Sequence, residues 1–117
     1  MSGYTSYRAG LAAEESIRAV YTMAGHDIAE ERWRCPAGEI DLIARNEETV
    51  IFIEVKRAKD ISTAAERLRP KQIRRLMRAA ETYLGSEPWG TDTPSRFDVA
   101  LVDGMGRFEI IENALAA

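Results

Sequence analysis

Two stretches of alternating polarity restrict this chain more than any other feature: Gly38-Glu39-Ile40-Asp41-Leu42-Ile43-Ala44-Arg45 and Val50-Ile51-Phe52-Ile53-Glu54-Val55-Lys56-Arg57. A period of two marks half-buried strands, and the intervening Asn46-Glu47-Glu48-Thr49 is long enough to close a hairpin. With Arg45 paired to Val50, positions summing to 95 face each other, so Asp41 lies opposite Glu54 and Glu39 opposite Lys56. Parity then puts these four on one face and Ile40, Leu42, Ile53 and Val55 on the other. Two opposed carboxylates repel. A fold tolerates them when a cation sits between them or when one keeps its proton.

The remaining periodicity supplies a framework for that hairpin. A first helix is expected from an N-cap at Thr5 or Ser6 to Gly25, with Ala13, Ile17, Val20, Tyr21 and Ala24 on its apolar stripe. Glu14 lies at the border of the stripe and Glu15 points away from it. A strand over Ile28–Arg34 precedes the hairpin. Thr63-Ala64-Ala65-Glu66 reads as a capping box for a short helical turn. Pro70 starts a second long helix, with Ile73, Leu76, Met77, Ala80 and Leu84 inward and Gly85 as C-cap. Arg96–Val102 and Arg107–Ile111 form a closing hairpin. The order αβββα then ββ implies one α+β domain over residues 1–117, a mixed sheet with helices packed on it.

Charge is distributed unevenly. Lys56 to Arg78 carries nine basic residues against Asp60 and Glu66, a local +7 in a chain whose net charge is −3. Lys71, Arg74, Arg75 and Arg78 group on the polar side of the second long helix, with Arg57 nearby in sequence. One basic surface on an acidic body suits a nucleic-acid partner, and an ordinary solvated helix face gives the same pattern. The single Cys35 excludes an internal disulfide, suits a reducing cytoplasm, and reads as a small strand-end residue. Arg8, Glu14, Glu15 and Arg18 interrupt any signal-peptide core, and no apolar run approaches the ~20 residues of a membrane span.

Phosphodiester hydrolysis requires a hard cation, and Mg²⁺ is commonly held by one or two carboxylates with water and phosphate completing its shell. Asp41 and Glu54 are the expected catalytic carboxylates and metal ligands, with the Val55 carbonyl and Glu14 as further ligands and Lys56 as the catalytic cation. The other reading of the same residues is two exposed strands joined by a Glu39–Lys56 ion pair.

Asp41, twelve residues, then Glu54-Val55-Lys56 resembles the PD-(D/E)xK signature of the restriction-endonuclease-like superfamily, whose core is αβββαβ. Gly10-Leu11-Ala12-Ala13-Glu14, Trp33-Arg34, Gly38–Ile43, Phe52–Lys56, Lys71 and Arg96–Val99 resemble the bacterial YraN-like family over nearly the whole chain. The helix Glu with Asp and Glu-x-Lys is also similar to archaeal Holliday-junction resolvases. The resemblance implies an Mg²⁺- or Mn²⁺-dependent endonuclease acting on DNA, with branched or otherwise structured DNA as the candidate substrate, for which a two-fold dimer would address both strands. Ile40 stands where the superfamily has proline, Arg57-Ala58-Lys59 replaces the family's small residue and arginine after the lysine, and Ile61–Ala65 lacks a glycine. A non-catalytic nucleic-acid-binding module of the same fold, or a protein-interaction domain using the Arg-rich helix, are the alternatives.

Overall fold

The computed structural model of the chain describes residues 3–115, with side-chain surroundings from residue 7 onward. Helix α1 (Gly3–Met23) leads into three antiparallel strands, β1 (Asp27–Cys35), β2 (Gly38–Asn46) and β3 (Thr49–Arg57). Helices α2 (Ile61–Glu66) and α3 (Pro70–Leu84) carry the chain across to β4 (Ser95–Val102), which runs parallel to β3, and β5 (Phe108–Ile111) returns antiparallel. The sheet order is β1-β2-β3-β4-β5. This is the expected α+β order of an αβββαβ core with a C-terminal hairpin. Among the described residues, no helix is long and apolar enough to cross a membrane.

Alternation along the central strands divides the core. Leu42, Ala44, Ile51 and Ile53 pack with Ala13, Ile17 and Tyr21 of α1. Ile43, Val50 and Phe52 pack on the other face with Leu76, Ala79, Ala80 and Leu84 of α3. At about 25 cal/mol per Å² of apolar area removed from water, these two clusters supply the main drive for folding. Helix α1 is further tied to β4 by polar contacts. The Tyr21 hydroxyl donates to Asp98 at 2.6 Å, and Arg96 Nε and the Asn113 N–H each donate to Asp98 at 3.0 Å. Asp98 is wholly buried, and sharing three donors satisfies it there.

Several expectations are corrected. Helix α1 already begins at Gly3, so Thr5 and Ser6 lie inside it rather than at its cap. Helix α2 is capped by Asp60, whose carboxylate accepts the Thr63 N–H at 2.7 Å, in place of the capping box from Thr63. Met77 is 42% exposed, because Ala79 and not Met77 meets the sheet. Ile40 packs with Ile43 and Phe52 on the α3 face instead of sharing the α1 face with Leu42. The flanking pairs Glu31–Leu42 and Trp33–Ile40 set Arg32 opposite Asp41, yet neither residue takes part in the ladder, and Arg32 has a φ of +47°. The register itself is the same on both sides of this point, and the shift in the β1–β2 pairing lies earlier, between Ile28 and Glu30.

Candidate active site

The β2–β3 register is the expected one, with Arg45 against Val50 and Leu42 against Ile53, but the ladder stops there. Beyond it Asp41 substitutes its side chain for backbone: its Oδ2 accepts the Val55 N–H at 2.8 Å. The strands part, and Glu39 is not drawn opposite Lys56. Glu39 instead lies 3.8 Å from Arg34 of β1.

Glu54 occupies the parting. It is 3% exposed, and its Oε2 accepts from Gln72 Nε2 at 2.7 Å and lies 3.2 Å from Lys56 Nζ. Its Oε1 is buried, and no described donor reaches it. Burial, then repulsion from the Asp41 carboxylate, then the hydrogen bond that a protonated Glu54 makes to Asp41 push its pKa up to about 9, against the smaller opposing pull of Lys56. Without a cation the pair therefore holds a proton at neutral pH. The two conditions under which opposed carboxylates are tolerated thus become alternatives at one place.

A cavity of about 290 Å³ on the α3 face is lined by Asp41, Glu54, Val55, Lys56, Gln72 and Arg75. A second, of about 230 Å³ on the α1 face, is lined by Glu14, Arg32, Asp41, Val55 and Arg57. Asp41 and Val55 belong to both, so the parted strands form the wall between them. Asp41, Glu54 and Lys56 are therefore brought together, whereas Glu14 approaches Asp41 from the other side. Glu14 is engaged there by Arg32 at 3.3 Å. Its pKa is raised by burial and then by Asp41, with Arg32 opposing. Among the described residues no three acidic, histidine or cysteine side chains gather as a metal-holding set. The donors at hand are two carboxylates and the Val55 carbonyl, a number sufficient for Mg²⁺, which keeps several waters.

Of the basic set, Arg75 lines the cavity that holds Glu54, and Arg57 lines the one that holds Glu14. Lys71, Arg74 and Arg78 are exposed on α3 and line neither. Arg18, Arg32, Arg34, Arg45, Arg96 and Arg107 each have an acidic partner, but among the described residues Lys71, Arg74, Arg75 and Arg78 have none. Gln72 and Arg32 are site residues that periodicity did not single out. A helical wheel places Gln72 with Arg75 and Leu76 on one border of the apolar stripe, but only packing shows which strand residue that border meets.

The chain matches the model of "Uncharacterised protein family UPF0102" over residues 13–102. It is 56% identical over 117 residues to a UPF0102 protein of Cereibacter sphaeroides (strain ATCC 17025 / ATH 2.4.3), covering all of both chains. It is 51% identical over 112 residues to one of Ruegeria pomeroyi, covering 96% of this chain and 91% of the relative. The identity is 35% over 111 residues to one of Dinoroseobacter shibae, covering 95% and 83%. The matched span contains α1 from Ala13 to the end of β4, and with it every residue of the acidic centre; the chain belongs to the UPF0102, or YraN-like, family.

Proposed function

We propose that this protein is a divalent-metal-dependent endonuclease that hydrolyses phosphodiester bonds of DNA, with structured or branched DNA as the substrate class. The observation that carries the reading is the Asp41–Glu54 pair: two carboxyl groups forced together in a buried gap, one with an oxygen that no donor among the described residues reaches, beside an ammonium group. That donor set fits Mg²⁺ or Mn²⁺, which Asp41, Glu54 and the Val55 carbonyl would hold. When bound, such a cation polarises a phosphoryl oxygen and lowers the pKa of water.

The chain's own groups do the rest. Lys56 projects into the same cavity as both carboxylates, where its ammonium orients the attacking water and stabilises charge that develops on the phosphate. Glu54, 3.2 Å away, fixes the position of that ammonium. Arg75, exposed at the cavity wall and without an acidic partner among the described residues, takes an adjacent phosphate.

The test is a cleavage panel of linear, flapped and four-way DNA with Mg²⁺ or Mn²⁺. Wild type cleaves at least one substrate, and Asp41→Ala cleaves none. Lys56→Ala loses ~10²–10³ in rate, the usual effect of removing one electrostatic stabiliser, yet still binds metal. No metal-dependent cleavage of any substrate would remove the enzymatic reading, and full activity in Lys56→Ala would remove the catalytic role of Lys56. Salt-sensitive DNA binding without cleavage would leave the binding module of the same fold.

A further inference from the structure

We infer that Gln72 is a positioning residue of the acidic centre: its side-chain amide divides the Glu54 carboxylate, assigning one oxygen to the protein and leaving the other for the cation. The inference rests on the metal-dependent reading of that centre and adds to it a residue outside the Asp and Glu-x-Lys pattern.

Three observations support it. Gln72 Nε2 donates to Glu54 Oε2 at 2.7 Å, the same oxygen that Lys56 Nζ approaches at 3.2 Å. The two donors come from different elements, one from the first turn of α3 and the other from β3. Both converge on Oε2, and Oε1 is left buried without a donor among the described residues, while the Glu54 side chain lines one cavity with Asp41 and Val55. A carboxyl group free to rotate would present either oxygen to Asp41. A primary amide anchored on a helix removes that freedom, because it accepts and donates in a fixed plane and stays uncharged as the cation arrives.

Helix α3 is suited to the task. Pro70 opens it at the favoured first position, so Gln72 sits on a defined first turn. Leu76, one turn further along the same border, is buried against the sheet and holds the helix in place. Groups that orient a metal ligand typically contribute ~10–100-fold to metal affinity or activity. Lysine at this position would add charge that opposes the cation, and a shorter amide would not span from α3 to β3. Glutamine meets both requirements.

The experiment compares wild type, Gln72→Met and Glu54→Gln in Mn²⁺ binding without DNA, read as loss of the free-ion paramagnetic resonance signal. Melting temperature is measured in chelator alongside. Methionine keeps the length and helix preference of glutamine but donates nothing. The expected result is Mn²⁺ binding in wild type, loss of binding in Glu54→Gln, and affinity about tenfold or more weaker in Gln72→Met, within the range for groups that orient a metal ligand. The bound-ion spectrum of Gln72→Met should also differ from wild type, which a merely structural role would not produce. If Gln72→Met does not fold, Gln72→Leu is read in the same way. Wild-type affinity and spectrum in a folded Gln72 variant would overturn the role of Gln72 while leaving the metal reading intact. Absence of Mn²⁺ binding in wild type, or wild-type binding in Glu54→Gln, would overturn the metal reading and this inference with it.

Discussion

At the scale of single residues, the centre is governed by how the Asp41–Glu54 pair avoids two buried negative charges. The Glu54 pKa rises from 4.5 to about 9 on folding. In the metal-free protein the native state therefore binds a proton that the unfolded chain releases above pH 4.5. The favourable contribution is fully present below that value and is lost as pH rises towards 9. Metal-free stability should accordingly fall with pH across this window, by up to about 1.4 kcal/mol per pH unit. Glu54→Gln, which keeps the shape and cannot ionise, should flatten that slope and melt above wild type at pH 8 in chelator. Chemical denaturation of both proteins at several pH values checks this; parallel curves would place the ionised form at no disadvantage in the fold. Alternation alone was enough to nominate Asp41, Glu54 and Lys56, because a strand's side-chain period is fixed by its backbone. It could not reach Gln72, whose place beside Glu54 depends on how α3 lies on the sheet, nor Arg32, whose φ of +47° no side-chain pattern announces.

At the scale of elements, the hairpin register was legible and its ending was not. Asn46–Thr49 fixes which residues pair near the turn, and Arg45–Val50 to Leu42–Ile53 follow by counting. Past that point Asp41 exchanges a strand hydrogen bond for a side-chain one at 2.8 Å, so the count fails where the chemistry is concentrated. Asp98, two residues after Arg96 on the same strand, is the buried acceptor that joins α1, β4 and the segment after β5. Asp98→Ala leaves the Tyr21 hydroxyl and the Asn113 N–H without their acceptor and Arg96 with Glu112 as its remaining acidic partner among the described residues. Removing one partner of a buried pair costs ~3–5 kcal/mol, and the lower figure applies because Arg96 is partly exposed. Tyr21→Phe removes one hydrogen bond and should cost about 1 kcal/mol. Equilibrium unfolding in denaturant separates the two; equal losses would mean the hydroxyl contact outweighs the charge.

At the scale of the whole molecule, the net charge of −3 hides a division of labour among its cations. Six arginines of α1, β1, β2, β4 and the β4–β5 turn are each paired with an acid. The group on α3 has no such partners among the described residues, and one of its members, Arg75, opens onto the acidic cavity. Pairing acids with these six arginines keeps those acids from cancelling the basic face of α3, and that face leads towards the buried carboxylates. A phosphate backbone meeting α3 would release counterions for each cation it engages, so affinity should fall steeply with salt. Replacing Lys71, Arg74 and Arg78 together by glutamine should weaken DNA binding and reduce the slope of log affinity against log salt by up to about 3 on duplex DNA. All three are exposed and lie outside the metal cavity, so Mn²⁺ affinity and melting temperature should be retained. Fluorescence anisotropy over a salt series measures the slope directly. An unchanged slope would leave α3 free to meet an acidic protein partner instead, and a lost Mn²⁺ site would show that these cations support the centre rather than the substrate.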